Sequence, residues 1–253
     1  MDLESSLKAR QNIYAFLGRV FEKEIDDDFL RALISNKEAF FKSSLDSSIN
    51  PIIREGAREL YNYLSELDEG KLEKVKLELA ADYASLFLGV LHASEGVGII
   101  HPSESAYLTG FLYQEPRDEV RKLYLDNGLV KSPQFKEPED HIALELYFMA
   151  HLCRKALRAL KSRKTEELSS NLETQMEFLE KHLLKWAPKL MDDVIRYAET
   201  AFYRGVGKIA KGLLETDKDQ IEKLARSIEA FHNNDSFLDH RGRRQVENWK
   251  KTR

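Results

Sequence analysis

The chain has 253 residues, 42% hydrophobic and 32% charged, which is enough apolar material for one large core or two small ones. Its 39 basic and 43 acidic residues leave a net charge of -4, which argues against a dedicated nucleic-acid binder, whose domain is normally basic. The lone cysteine, Cys153, excludes an intramolecular disulfide and a cysteine-based zinc site, and six prolines with twelve glycines leave little room for low-complexity linkers.

Taken in order, nearly every segment has helical period and none has a convincing strand alternation, so the fold class is all-α. Leu7, Arg10, Tyr14, Leu17 and Phe21 share one helix face. Asp26, Asp27 and Asp28 cap a second helix through Leu30 and Leu33. Asn50 and Pro51 start a third, with Ile52, Ile53, Ala57, Leu60 and Leu64 inward, and Gly70 separates it from a fourth through Leu72, Val75, Leu79 and Tyr83. The stretch 89–103, with Gly89, Gly96 and Gly98, reads as a long connection of the kind that often carries function. Ser103 or Ser105 is expected to cap a short helix running through Tyr107, Leu108, Phe111 and Leu112, which Glu115 and Pro116 break. A helix over about 117–126 ends at Asn127 and Gly128. The stretch 129–137, carrying Pro133, is expected to be a hinge between two helical halves, about 1–128 and 138–232.

The most regular helix follows. Pro138 is expected in its first turn, with Glu139 and Asp140 against the positive end of the helix dipole. Ile142, Leu146, Met149, Cys153, Ala156 and Leu160 then repeat at four-three-four-three-four, a buried stripe. Ser170 and Glu173 read as a capping box for the next helix, which Pro188 ends. Gly205 and Gly207 are expected to loosen the chain before a last amphipathic helix through Ile221, Leu224, Ile228 and Phe231. The tail 233–253 is polar and basic, with a partly disordered character expected. The start at residues 1–6 is acidic and polar, unlike a secretory signal, and the longest apolar run, near 83–91, is too short to span a bilayer. A soluble cytoplasmic protein without an integral membrane segment is the expectation.

Two constellations could carry chemistry. Around the start of the regular helix, Glu137, Glu139, Asp140 and Glu145 crowd about His141. Glu145 lies one turn beyond His141, so an acid–base pair between them is geometrically natural. A satisfied helix start is the plainer alternative. No nucleophile elbow, phosphate loop or dinucleotide fingerprint accompanies the pair. One Glu-x-x-His, at Glu229 and His232, falls short of the two copies that a di-iron bundle needs. The second constellation is Tyr83, Leu86 and Phe87, on one face of a helix end. Helical spacing alone reads as core; the functional alternative is the wall of a groove for an apolar peptide.

An ordered set of short motifs resembles the TorD/DmsD/NarJ-type redox-enzyme maturation chaperones. They are Arg10, Tyr14, Leu17 and Phe21; Tyr83-Ala-Ser-Leu-Phe87; Pro102-Ser-Glu-Ser-Ala-Tyr107; Glu137-Pro-Glu-Asp-His141; and His182-Leu-Leu-Lys-Trp-Ala-Pro188. The resemblance implies an all-helical fold in two halves with a hinge ahead of Glu137, and no catalysis or cofactor of its own. It implies a partner that is the twin-arginine signal peptide and apo catalytic subunit of a molybdopterin oxidoreductase, held in the cytoplasm until its cofactor is inserted. The matching motifs carry Tyr83, Leu86, Phe87, Pro102, Glu104, Tyr107, Glu137, Asp140 and His141 over as the peptide and client site. Such a peptide has a cationic front and an apolar core, so its groove needs an apolar wall and acidic groups at one end. The rival readings are a small helical metal-dependent or acid–base enzyme built on His141 and its carboxylates, and a helical scaffold in which Tyr83, Leu86 and Phe87 are buried. The chain is expected to be a monomer or a dimer swapped through the hinge.

Overall fold

The computed structural model describes residues 2–41, 50–88 and 101–251, without the side chains of residue 69 and of 229–251. The elements are α1 (Leu3–Glu22), α2 (Asp27–Phe41), α3 (Pro51–Ser65), α4 (Leu72–Phe87), α5 (Glu104–Thr109), α6 (Glu115–Asp126), α7 (Ile142–Lys161), α8 (Thr165–Phe178), α9 (Leu184–Tyr197) and α10 (Ala201–Lys251). No strand occurs among the described residues; an isolated antiparallel bridge pairs Ser103 with His141. No described helix is long and apolar enough to cross a membrane. The connection at 89–100 lies outside the described residues, as do the side chains of Glu229, Phe231 and His232 and those of the basic tail, which falls in the last turns of α10.

α7 is the axis of the core. Its stripe is buried from Ile142 through Ala156 as its spacing predicts, with Leu160 partly buried at the end, and Phe148 and Leu152 bury a second face, so that α1 and α8 both pack on it. The other major pairing sets α3 against α10. The α1–α7 and α3–α10 pairings each join an element before residue 129 to one after 137, so both parts of the chain share one apolar core. The α3–α10 contact depends on glycine. A Cβ on Gly56 would lie 2.5 Å from the Gly205 carbonyl oxygen, and one on Gly205 would lie 2.8 Å from that of Gly56. Gly205 and Gly207 therefore do not loosen the chain. They lie inside α10, where the missing side chains let Gly205 meet the α3 backbone and Gly207 the Val194 and Ile195 side chains of α9.

Several element ends differ from the expected ones. α5 stops at Thr109 because Gly110 takes the left-handed conformation (φ 82°), which leaves Leu108 and Phe111 exposed rather than inward. Glu115 and Pro116 open α6 instead of breaking a helix; proline is tolerated in a first turn, where its N–H has no partner to lose. α8 begins at Thr165, so Ser170 and Glu173 are interior, and a π-helical turn at Leu179–Leu183 separates α8 from α9 ahead of Pro188. Ile221, Leu224 and Ile228 are buried on α10 itself rather than on a separate helix.

Two buried polar groups tie the helices together. Arg10 on α1 donates from Nε and Nη2 to the Asp217 carboxylate of α10 at 2.6 and 2.7 Å, and from Nη1 to Gln175 Oε1 of α8 at 2.6 Å. Tyr14 donates to the same carboxylate at 2.7 Å. Burial works against the guanidinium charge, but Asp217 more than offsets it and holds Arg10 firmly protonated. Cys153 abuts this network; burial pushes its thiol up to about 12, so it is an inert core residue. The second group is Glu145, fully buried on α7, which accepts from Trp186 Nε1 of α9 at 3.2 Å. Burial, then the nearby Glu104 and Asp140 carboxylates, push its pKa well up, so it is neutral in the fold.

Asp217→Ala strands a buried guanidinium, and urea denaturation is expected to show a loss of about 3–5 kcal/mol. Gly56→Ala forces α3 off α10, with an expected loss of about 1–3 kcal/mol and unchanged helical circular dichroism. For Glu145 the folded pKa lies above the unfolded one. Its contribution is therefore full below about pH 4.5 and is lost as pH rises toward the folded value. Glu145→Gln keeps an acceptor for Trp186 and cannot ionise. Denaturation curves are expected to show it near neutral at pH 4 and stabilising at pH 8.

Candidate functional site

The residues singled out around His141 meet where segments 101–105 and 137–142 pair. Ile142 N donates to Pro102 O and Glu104 N to Asp140 O, both at 2.9 Å, flanking the Ser103–His141 bridge. The Asp140 carboxylate accepts from Ser105 N at 2.7 Å and so caps α5 from across the clasp, while neither Ser103 nor Ser105 caps it. α7 starts later than expected. Pro138, Glu139 and Asp140 form a turn closed by His141 N donating to Pro138 O at 3.2 Å, and His141 is the N-cap, its Nδ1 accepting from Ala143 N at 3.2 Å. Burial, then the neighbouring His101, lower the His141 pKa to about 3, so the ring is neutral.

These contacts decide which of the expected site residues are available. Asp140, Glu104 and Pro102 are buried. Glu104 Oε2 lies 2.9 Å from His182 Nδ1 in the π-helical turn, and Glu145 turns to Trp186 instead of pairing its carboxylate with the His141 ring. The natural acid–base pair of the sequence is therefore absent. Among the described residues no group of three or more His, Cys, Asp or Glu could hold a metal ion. Glu139 is tied to Arg117 Nε at 2.6 Å, and although burial opposes its charge, that contact lowers its pKa. Tyr107 faces α9, donating to Asp193 at 3.0 Å with its ring against Trp186.

Tyr83, Phe87, Glu137 and His141, by contrast, line one cleft of about 640 Å³ between the end of α1, α4 and the clasp. Leu86 faces the core and is 1% exposed. Tyr83 and Phe87 are under a tenth exposed and form the cleft floor; the Tyr83 hydroxyl donates to Phe21 O at 3.2 Å. The exposed apolar edge comes from Leu77 and Leu88, at 69% and 56% exposure. The rim carries Glu22, Glu24, Asp26 and Glu137 against Lys23 and Lys76, a net negative mouth. Lys23 is 3.0 Å from Asp26, and Lys76 is 3.0 Å from Asp27. His101 Nε2 lies 2.8 Å from Glu137 and its ring stacks edge-on against His141.

Glu22, Glu24, Leu77, Leu88 and His101 were not legible as site residues. They come from three elements whose approach depends on tertiary packing. Asp26 was visible only as a helix cap, which it also is: Phe29 N donates to it at 3.0 Å.

The family model described as nitrate reductase delta subunit matches residues 48–192, which span α4, the clasp and the linker. The chain is similar to Chaperone protein TorD of Vibrio cholerae, 29% identical over 218 residues in one strain (85% of this chain, 93% of that protein) and 30% over 218 in another. It is 26% identical over 206 residues to Chaperone protein TorD of Escherichia coli, covering 81% of this chain and 92% of that one. A crystal structure from Archaeoglobus fulgidus, described as a redox enzyme maturation protein, aligns over 81% of this chain and 93% of its own at 19% identity and a TM-score of 0.43. The chain belongs to the nitrate reductase delta subunit family, the TorD/NarJ group that its ordered motifs resemble.

Proposed function

We propose that this chain is a cytoplasmic maturation chaperone whose acidic-mouthed cleft holds the twin-arginine signal peptide of a molybdopterin oxidoreductase until the cofactor is in place. The observation that carries the reading is the composition of the cleft. Tyr83, Phe87, Leu77 and Leu88 offer an apolar surface beside Glu22, Glu24, Asp26 and Glu137. A peptide with an arginine pair ahead of a short apolar run matches both parts, since guanidinium–carboxylate pairing is charge-assisted and fork-shaped. Family membership and the TorD relatives support the chaperone role. Asp140 and Glu104 serve this function indirectly, by holding the clasp that forms one wall. A chaperone must release its client, so the affinity suits the micromolar range, about 8 kcal/mol.

Titration calorimetry with a twin-arginine peptide tests this. Glu24→Gln and Glu137→Gln remove exposed or half-exposed rim charges and are each expected to weaken binding about tenfold, or about 1.4 kcal/mol, with a loss that shrinks as salt rises. Asp140→Ala is expected to lower the melting temperature instead, because it leaves the Ser105 N–H without its acceptor. No binding at millimolar peptide, or unchanged affinity in both rim variants, overturns the proposal.

A further inference from the structure

A second cleft, of about 410 Å³, lies where residues 129–132 of the linker meet α1 and α7. Ala15 of α1, Leu129 and Val130 of the linker and Leu144 and Phe148 of α7 make it apolar. Its polar members have the opposite sign to those of the first cleft. Lys131, His151 and Arg154 line it, and no carboxylate does. Lys131 Nζ is tethered at 2.5 Å to the Glu137 carbonyl oxygen, a neutral partner. Lys155 beside it is tethered to Asn127, also neutral. Among the described residues no carboxylate pairs with Arg154 or with Arg158 one turn on; Arg154 instead donates from Nη2 to His151 Nδ1 at 3.3 Å.

That contact fixes the histidine. A guanidinium can only donate, so Nδ1 is the bare nitrogen and the proton sits on Nε2. Nε2 is buried without a hydrogen-bond partner. Burial, then Arg154, Lys155 and Arg158, lower the His151 pKa, which keeps the ring neutral in a field that favours an incoming anion.

We propose that this cleft is a second binding site, for an acidic segment of a partner protein in which a carboxylate side chain lies next to a Leu or Phe. The apolar floor takes the large side chain, and Arg154 and Lys131 take the carboxylate beside the His151 ring. The field selects against the cationic peptide proposed for the first cleft, so the two sites sort their ligands by sign. Val130 of the lining is 82% exposed, an open apolar edge that favours a protein segment over an enclosed small molecule. The sites share structure. Tyr147 lines the second cleft, packs its ring against Gly18 and donates to Glu22 of the first at 2.8 Å.

The full-length protein, labelled with ¹⁵N, is titrated with three capped decapeptides: one alternating Glu with Leu and Phe, one with Gln for every Glu, and one with Lys for every Glu. The acidic peptide is expected to bind at least tenfold more tightly than the other two and to shift the amides of Val130, His151 and Arg154. Arg154→Gln and Val130→Asp, both at exposed positions, are each expected to weaken it at least tenfold while leaving twin-arginine peptide binding unchanged. Calorimetry at pH 6.5 in two buffers of different ionisation enthalpy is expected to show proton uptake, because an anion beside His151 raises its pKa. Equal binding of the three peptides, absence of binding, or shifts confined to the first cleft overturns the proposal. So does 3-phenylpropionate binding as tightly as the acidic peptide, since the ligand would then be a small aryl carboxylate.

Discussion

The clasp between 101–105 and 137–142 rests on the need of buried backbone donors for acceptors. α5 is six residues long and its N-terminus is buried, so its first N–H groups cannot turn to water. Asp140 supplies a carboxylate to Ser105 N and its own carbonyl to Glu104 N, and His141 supplies Nδ1 to the first turn of α7. Two helix starts are thus satisfied by neighbouring residues of one turn. The wall of the first cleft is positioned by that arrangement, because Glu137 precedes and His141 closes the same turn.

The same contacts engage most of the acid–base groups of this stretch. Asp140 is spent on a helix cap, Glu104 on His182, Glu139 on Arg117, and Glu145 is kept neutral against Trp186. His141 is neutral because its environment penalises the charge, and its Nδ1 is already an acceptor. Of the acidic residues in 137–145, Glu137 is the one that reaches the mouth of the cleft, and even it is engaged by His101. The geometry belongs to a rigid wall with one accessible charge.

The fold class and the α7 stripe were legible because they rest on local period: apolar side chains every three or four residues bury one face whatever the neighbours are. Caps that act within their own helix were legible too, as with Asp26 and Asn50. What failed was chemistry completed at a distance. Ser103 has the right residue type and position to cap α5, yet Asp140, 35 residues beyond the Ser105 N–H that it accepts from, does so. Gly205 reads as a breaker in one dimension and becomes a close-packing site only when α3 is laid across it. The candidate site divided the same way. Tyr83, Phe87, Glu137 and His141 do converge, whereas Leu86, Glu104 and Asp140 carry the same sequence signal and face inward. Helical spacing fixes a face, but packing decides which side of that face is covered.

Charge shows the same limit at the level of the whole molecule. A net charge of -4 suggests a mildly acidic surface and hides its segregation. The acids of the α1 end and the linker collect at one cleft, and the bases of α7's exposed face collect at the other, with 129–137 and Tyr147 between them. Both clefts draw walls from the α1–α7 pair, whose close approach is set by Gly18 against Tyr147. Tyr147 thus reaches the rim of one cleft with its hydroxyl and lines the other with its ring. The same core runs across the linker, since α1 packs on α7 and α3 on α10.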